Sequence, residues 1–150
     1  MPGGSKAFAF FDCFYANLGL KTEDLNTDTL KVYLSNEAPD ANDYSYRANG
    51  GTDTGPEEIV AEHDYTAGGT DVVNAYSGSG GTGTLTATAN TTGYVEWTAN
   101  GGTIGPFRYA ILYDTENGNL IGYWDYGSAV TLQDTESFKV DFGAAILAIT

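Results

Sequence analysis

The chain has 150 residues, a formal net charge of -14, one cysteine and one histidine. That length makes one domain, able to bury most of its unfolded surface without a disulfide or metal staple. Cys13 alone excludes an internal disulfide framework and a multi-cysteine zinc site, His63 alone excludes any site needing two imidazoles, and the acid excess excludes nucleic acid and an anionic membrane as partners.

Charged residues are only 17%, so the chain is no disordered acidic tail. No stretch reaches the roughly 18 consecutive apolar residues of a membrane span. Asp12 interrupts the apolar run after Lys6 and no small-residue cleavage site follows, so a soluble protein made in a reducing compartment is expected.

Residues 6–18 read as one helix, because Ala7, Phe10, Phe11, Phe14 and Leu18 recur at spacings of three and four. Ser5 fits its N-cap and Gly19 its left-handed end. Phe8 and Tyr15 lie off the main stripe and widen the apolar surface. Two roles fit: a helix covering the open end of a β-fold, or an arm over residues 1–20. In the arm, Phe8, Phe10, Phe11, Phe14 and Tyr15 dock on a neighbouring subunit.

Residues 28–150 read as β-structure. Leu30, Val32 and Leu34 alternate with Lys31, Tyr33 and Ser35, which predicts a strand with one buried face. Residues 36–56 hold Pro39, Gly50, Gly51 and Gly55 among several acids, and read as a long functional or mobile loop. Residues 57–62 read as a short helix or strand, and residues 70–76 as one strand. Residues 77–83 read as a Gly/Ser connection. Residues 85–89 and 94–98 read as a hairpin around Asn90-Thr-Thr-Gly93.

Residues 107–113 and 120–126 form the clearest strand pair, with Asn117-Gly118 as the turn. A two-residue turn there sets Tyr113 opposite Gly122, Ile111 opposite Trp124 and Tyr109 opposite Tyr126. Phe107, Tyr109, Ile111, Tyr113, Trp124 and Tyr126 then share one face. Arg108, Ala110, Leu112, Tyr123 and Asp125 share the other, where Arg108 and Asp125 are diagonal neighbours within reach of each other. Such a pair fixes register or sits at an interface. A strand stub at 130–132 and a last strand at 137–149, bulged at Gly143, close the chain. The sum is a mostly β protein: a single antiparallel β-sandwich or barrel of about seven short strands with one N-terminal α-helix. The repeat of Ala48-Asn-Gly-Gly-Thr52 at Ala99–Thr103 reads as reuse of a turn.

No catalytic, cofactor or metal set emerges. His63 lies between Glu62 and Asp64 without a nucleophile elbow and reads as a surface histidine. The Gly-rich stretch from Ser77 to Thr84 lacks the lysine that a phosphate loop needs. Glu96 beside Trp97 and Asp125 beside Trp124 are the forced choice for a glycosidase pair, and read more simply as strand positions next to core aromatics. Asp40, Asp43 and Asp53 offer oxygens of the kind calcium takes, without the spacing of a calcium loop. Trp and Tyr on strands also suit a sugar-stacking face, a packed core or a subunit interface.

Several segments resemble small virion structural proteins of tailed bacteriophages: Asp28–Asp40, Glu58–Gly69, Gly105–Tyr113, Leu120–Gly127 and Glu136–Phe142. The likeness covers most of the chain, with poor matches over 40–56 and 77–83. It implies a virion component made in the host cytoplasm and brings no catalytic residues. The favoured expectation is a capsid decoration (cement) protein on the head surface. Its partners are then the major capsid protein and copies of itself, as a homotrimer. A tail, neck or fibre part and a carbohydrate-binding module are the alternatives.

Overall fold

A computed structural model describes residues 7–79, 82–87, 94–142 and 145–149. The expected cap at Ser5, the turn at 90–93 and the bulge at Gly143 lie outside the described residues. The fold is mostly β and antiparallel, with one helix among the described residues. Ten strands occur in the described residues: β1 (Phe8–Phe10), β2 (Leu30–Ser35), β3 (Thr70–Val72), β4 (Asn74–Ser79), β5 (Thr82–Ala87), β6 (Tyr94–Thr98), β7 (Ile104–Asp114), β8 (Leu120–Leu132), β9 (Ser137–Asp141) and β10 (Leu147–Ile149). Helix α1 spans Asp12–Leu20.

A five-stranded sheet in the order β1-β8-β7-β2-β3 is the main layer. A three-stranded sheet, β10-β5-β4, and the pair β6-β9 complete the described strands. Leu30, Val32, Leu34, Ala110, Leu112, Ile121 and Trp124 meet Val95, Trp97, Phe138 and Val140 in one buried core. The arrangement is sandwich-like and the sheets do not close into a barrel.

The helix begins at Asp12, six residues later than the spacing suggests. Ala7–Phe10 also alternates with period two, and β8 offers a ladder: Phe8 pairs with Trp124 and Phe10 with Gly122. Both phenylalanines turn to the main core and the segment becomes an edge strand. The left-handed end falls on Lys21 (φ 59°), not Gly19, and the Lys21 and Thr22 amides donate to Leu18 O and Asn17 O.

Three further expectations are corrected. Residues 70–76 split at Val73 into β3 and β4, which belong to different sheets. β5 and β6 do not pair with each other; β5 lies between β4 and β10, and β6 pairs with β9. The stub at 130–132 is the end of the 13-residue β8, and residues 137–149 divide into β9 and β10 in separate sheets. Adjacency in sequence loses to burial: β6 and β9 put Val95, Trp97, Phe138 and Val140 into one core. The turn repeat is matched in backbone, since Gly50 and Gly101 both adopt φ near the left-handed value, 74° and 78°.

Candidate functional site

The second face of the main sheet is covered too. Tyr33 and Ser35 are fully buried, so β2 has two buried faces rather than one. Tyr33, Tyr109, Ile111, Tyr113 and Leu120 form a second apolar cluster with Phe11, joined by Tyr46 and Tyr123. The long 36–56 loop supplies the cover. Tyr46 stacks on Tyr113 at 4.7 Å and meets Tyr33 edge-on at 5.1 Å.

A buried carboxylate fastens that loop. Glu58 is 2% exposed. Its Oε2 accepts from Tyr46 Oη at 2.5 Å, and its Oε1 accepts from Tyr65 Oη and the Gly68 amide, both at 2.8 Å. Tyr65 Oη also accepts the Leu34 amide, and Tyr113 Oη donates to Gly68 O. Burial first and the Glu58 charge second push the Tyr65 hydroxyl well above the usual tyrosine range. Three donors on one carboxylate is the arrangement that makes a buried acid tolerable without a cation. Gly69 explains the tight approach beneath it: with φ at 75°, an added Cβ would strike Val32 O.

Beside this network lies an open cleft of about 390 Å³ lined by Asn36, Glu37, Asn49, Glu57, Ile59 and Pro106, among others. Arg47 Nη2 bridges Glu37 Oε2 at 2.6 Å and Glu57 Oε2 at 2.8 Å. The Gly50 amide donates to the other Glu57 oxygen, so the carboxylates brace the loop itself.

Arg108 and Asp125 meet in a two-point pair, Nε to Oδ1 at 2.7 Å and Nη2 to Oδ2 at 2.8 Å. Both side chains are 38% exposed. The strands reach it by a different register from the one expected. Tyr109 stands opposite Asp125 and Ile111 opposite Tyr123, one residue off, with shifts around Phe107 and between Leu112 and Tyr113. The connection is longer than two residues, since the Gly118 amide donates to Asp114 O and the Asp114 amide to Asn119 O. In consequence Trp124 faces the main core and Tyr123 the second cluster, and the irregularity sends Phe107 to the main core, apart from Tyr109.

The N-terminal aromatics pack on their own sheet and form no detached arm. Phe11 and Phe14 are 3% and 2% exposed. Phe8 lies 4.6 Å from Trp124, Phe10 stacks on Phe14 at 5.2 Å, and Phe11 meets Tyr123 at 5.2 Å. Tyr15 and Leu20 remain outward, at 59% and 73% exposure. β1 beside them is an edge of the main sheet.

The other aromatic positions are inside or half-buried. Phe107, Tyr109 and Tyr113 are buried, while Tyr123 and Tyr126 are half-buried. Trp97 and Trp124 are buried against Phe138 and Phe142, so neither presents a ring for stacking on a sugar. Asp40 and Asp43 turn their oxygens to amides of their own loop, Asn42 N and Asp40 N. Among the described residues no group of three or more acidic, histidine or cysteine side chains is placed to hold a metal ion. His63 (φ 51°) and Asp64 (φ 74°) are both left-handed, and Asn100 fixes them: its amide donates to His63 O and its side chain to Asp64 Oδ2. Among the described residues, no helix is long and apolar enough to cross a membrane.

No protein-family model, curated protein or solved structure matches this chain.

Glu58, Tyr46 and Tyr65 were not legible as a unit in the sequence. Glu58 is one acid of 20, and its donors lie 12 and 7 residues away. The Gly68-Gly69 pair was the nearest signal, because a glycine doublet after Tyr65 marks backbone that must pass close to something.

Proposed function

We propose that this chain is a structural component of a tailed-phage virion, and specifically a decoration protein on the outer head surface that bridges major capsid subunits. The segments resembling small virion proteins support the class. The sandwich-like fold agrees with it, because those segments fall on β2, β7, β8, β9 and on the 58–69 stretch that carries Glu58. The buried polar groups support a role through surface shape. Glu58 and Tyr65 are buried, and with half-buried Tyr46 they hold a loop in place.

One observation carries the choice of docking surface. Exposed Tyr15 lies 5.6 Å from Phe10 on an edge strand whose sequence, Ala7–Phe11, has no charge, and exposed Leu20 ends the same helix. Over most of the rest, carboxylates dominate and Lys31, Arg47 and Arg108 are each paired with an acid. A rim that carries an uncharged strand and, of charged residues on its helix and cap, only Asp12 and Lys21 is where a partner or another copy can approach a strongly acidic body with little like-charge repulsion. Copies assemble in this reading as a closed cyclic ring, with a trimer as the proposed number.

The test is reconstitution. Particles produced without this protein should lose heat resistance and regain it when the purified protein is added back. Particles equally robust without it would remove the cementing role.

A further inference from the structure

The turn between β7 and β8 holds the segment that follows α1. Asn117 Nδ2 donates to Thr22 O at 3.0 Å, and Asn119 Nδ2 donates to Glu23 Oε2 at 3.2 Å. Leu25, two residues on, is buried in the main core. Glu23 therefore enters the fold with its neighbours, and only 8% of it stays exposed.

Its surroundings suit a neutral acid and not a carboxylate. Oε1 has no hydrogen-bond partner and Oε2 has one amide donor. The charged groups acting on it are Asp28, from the connection before β2, and Asp114, from the end of β7, and Glu23 in turn acts on Cys13 of α1. Asp12 adds to the negative potential at Cys13, and Glu116 does so at Asp114. Asp114 is fully buried and already accepts the Glu116 amide and Asn117 Nδ2. Asp28 already accepts the Asp24 amide at 2.7 Å. No cation is among the groups that act on Glu23.

We propose that Glu23 is a proton-operated latch: protonated, it seals residues 12–28 against the β7–β8 turn, and ionised, it sets three carboxylates against one another and loosens that segment.

Burial first, then Asp114 and Asp28, raise the Glu23 carboxyl from 4.5 to about 7. The folded form thus binds this proton more tightly than the unfolded chain. The stabilisation is complete below the ordinary glutamate range and is lost as pH rises through about 7. The latch lies at the root of α1, which carries Tyr15 and Leu20, so the protonation state sets how firmly that exposed rim is held. It does not depend on the virion reading and can be observed on the isolated chain.

Hydrogen exchange of residues 12–28, corrected for intrinsic chemistry, tests it at about pH 5.5 and about pH 8.5. The wild type should lose protection about tenfold or more at the higher pH, while Glu23→Gln should stay protected at both. The same pH response in both proteins, or none in the wild type, overturns the latch. Carbon-13 titration of the wild-type Glu23 carboxyl needs no variant: a midpoint near 7 agrees with it, and one near the ordinary 4.5 overturns it.

Discussion

Arg108 and Asp125 join β7 to β8 at two points, although the strands run one residue away from the register that a two-residue turn would set. The irregularity between Phe107 and Tyr109 restores what the register shift would take away, by turning Arg108 toward Asp125. Asp125 Oδ1 also accepts the Gly127 amide at 2.7 Å, where the backbone is left-handed at φ 98°. The two partners are therefore unequal. Arg108→Ala should lower the melting temperature slightly, and less as salt is added, because the pair is half-exposed. Asp125→Ala should cost more and keep most of its cost at high salt, because it also frees the Gly127 amide. Equal, fully screened losses in a thermal melt would show that the Gly127 contact contributes nothing.

Glu58 is a buried acceptor of three hydrogen bonds. Glu58→Ala leaves Tyr46 Oη, Tyr65 Oη and the Gly68 amide without an acceptor. Each stranded buried donor costs on the order of 1–3 kcal/mol, with partial relief by water. A loss of about 3 kcal/mol or more in urea unfolding is expected, with exchange protection of 44–58 falling first. Tyr65→Phe should lose about 1–2 kcal/mol, since Oη also accepts the Leu34 amide. A Glu58→Ala protein of wild-type stability would contradict the network's role.

Two neighbours on α1 should respond in opposite ways. Phe14 is 2% exposed, and Phe14→Ala should cost about 3–5 kcal/mol. Tyr15 is 59% exposed, and Tyr15→Ala should change stability by less than about 0.5 kcal/mol. The proposed docking surface adds a second expectation: Tyr15→Ala with Leu20→Ala should weaken attachment to particles while leaving the melting temperature unchanged. Full attachment by that folded double variant would place the contact elsewhere.

Cys13 should be slow to alkylate. Burial first, then Glu23, pushes its thiol up from 9.0 to about 11, and Sγ lies 3.3 Å from Leu120 O. Only the thiolate reacts, so modification at mildly alkaline pH should be on the order of tenfold to a hundredfold slower than in the denatured chain. Iodoacetamide labelling followed by mass measures this directly, and equal rates would mean that α1 does not cover the thiol.

The sequence made the mostly β class and several individual strands readable, and missed much of how they pair. β2 was plain, because Leu30, Val32 and Leu34 alternate cleanly. The buried state of Tyr33 and Ser35 was not, since it depends on a loop that folds back from residues 36–56. Ala7–Phe11 fits both a helical and an extended period, and only the presence of β8 decides between them. The Asn117-Gly118 signal located its hairpin correctly and mis-set its register, because Asp114 and Asn119 extend the turn. β6 finds β9 across some forty residues, a pairing chosen by a shared core and invisible to local pattern. The Glu58 cluster was hidden for the same reason: its members are ordinary residues until the loop brings them together.

Counting this protein in purified particles by quantitative mass spectrometry, with imaging to place it, tests the central proposal most directly. The expected result is hundreds of copies per particle, set over the outer head shell in symmetric groups. Absence from particles, or only the few copies of a neck or tail part, would contradict it.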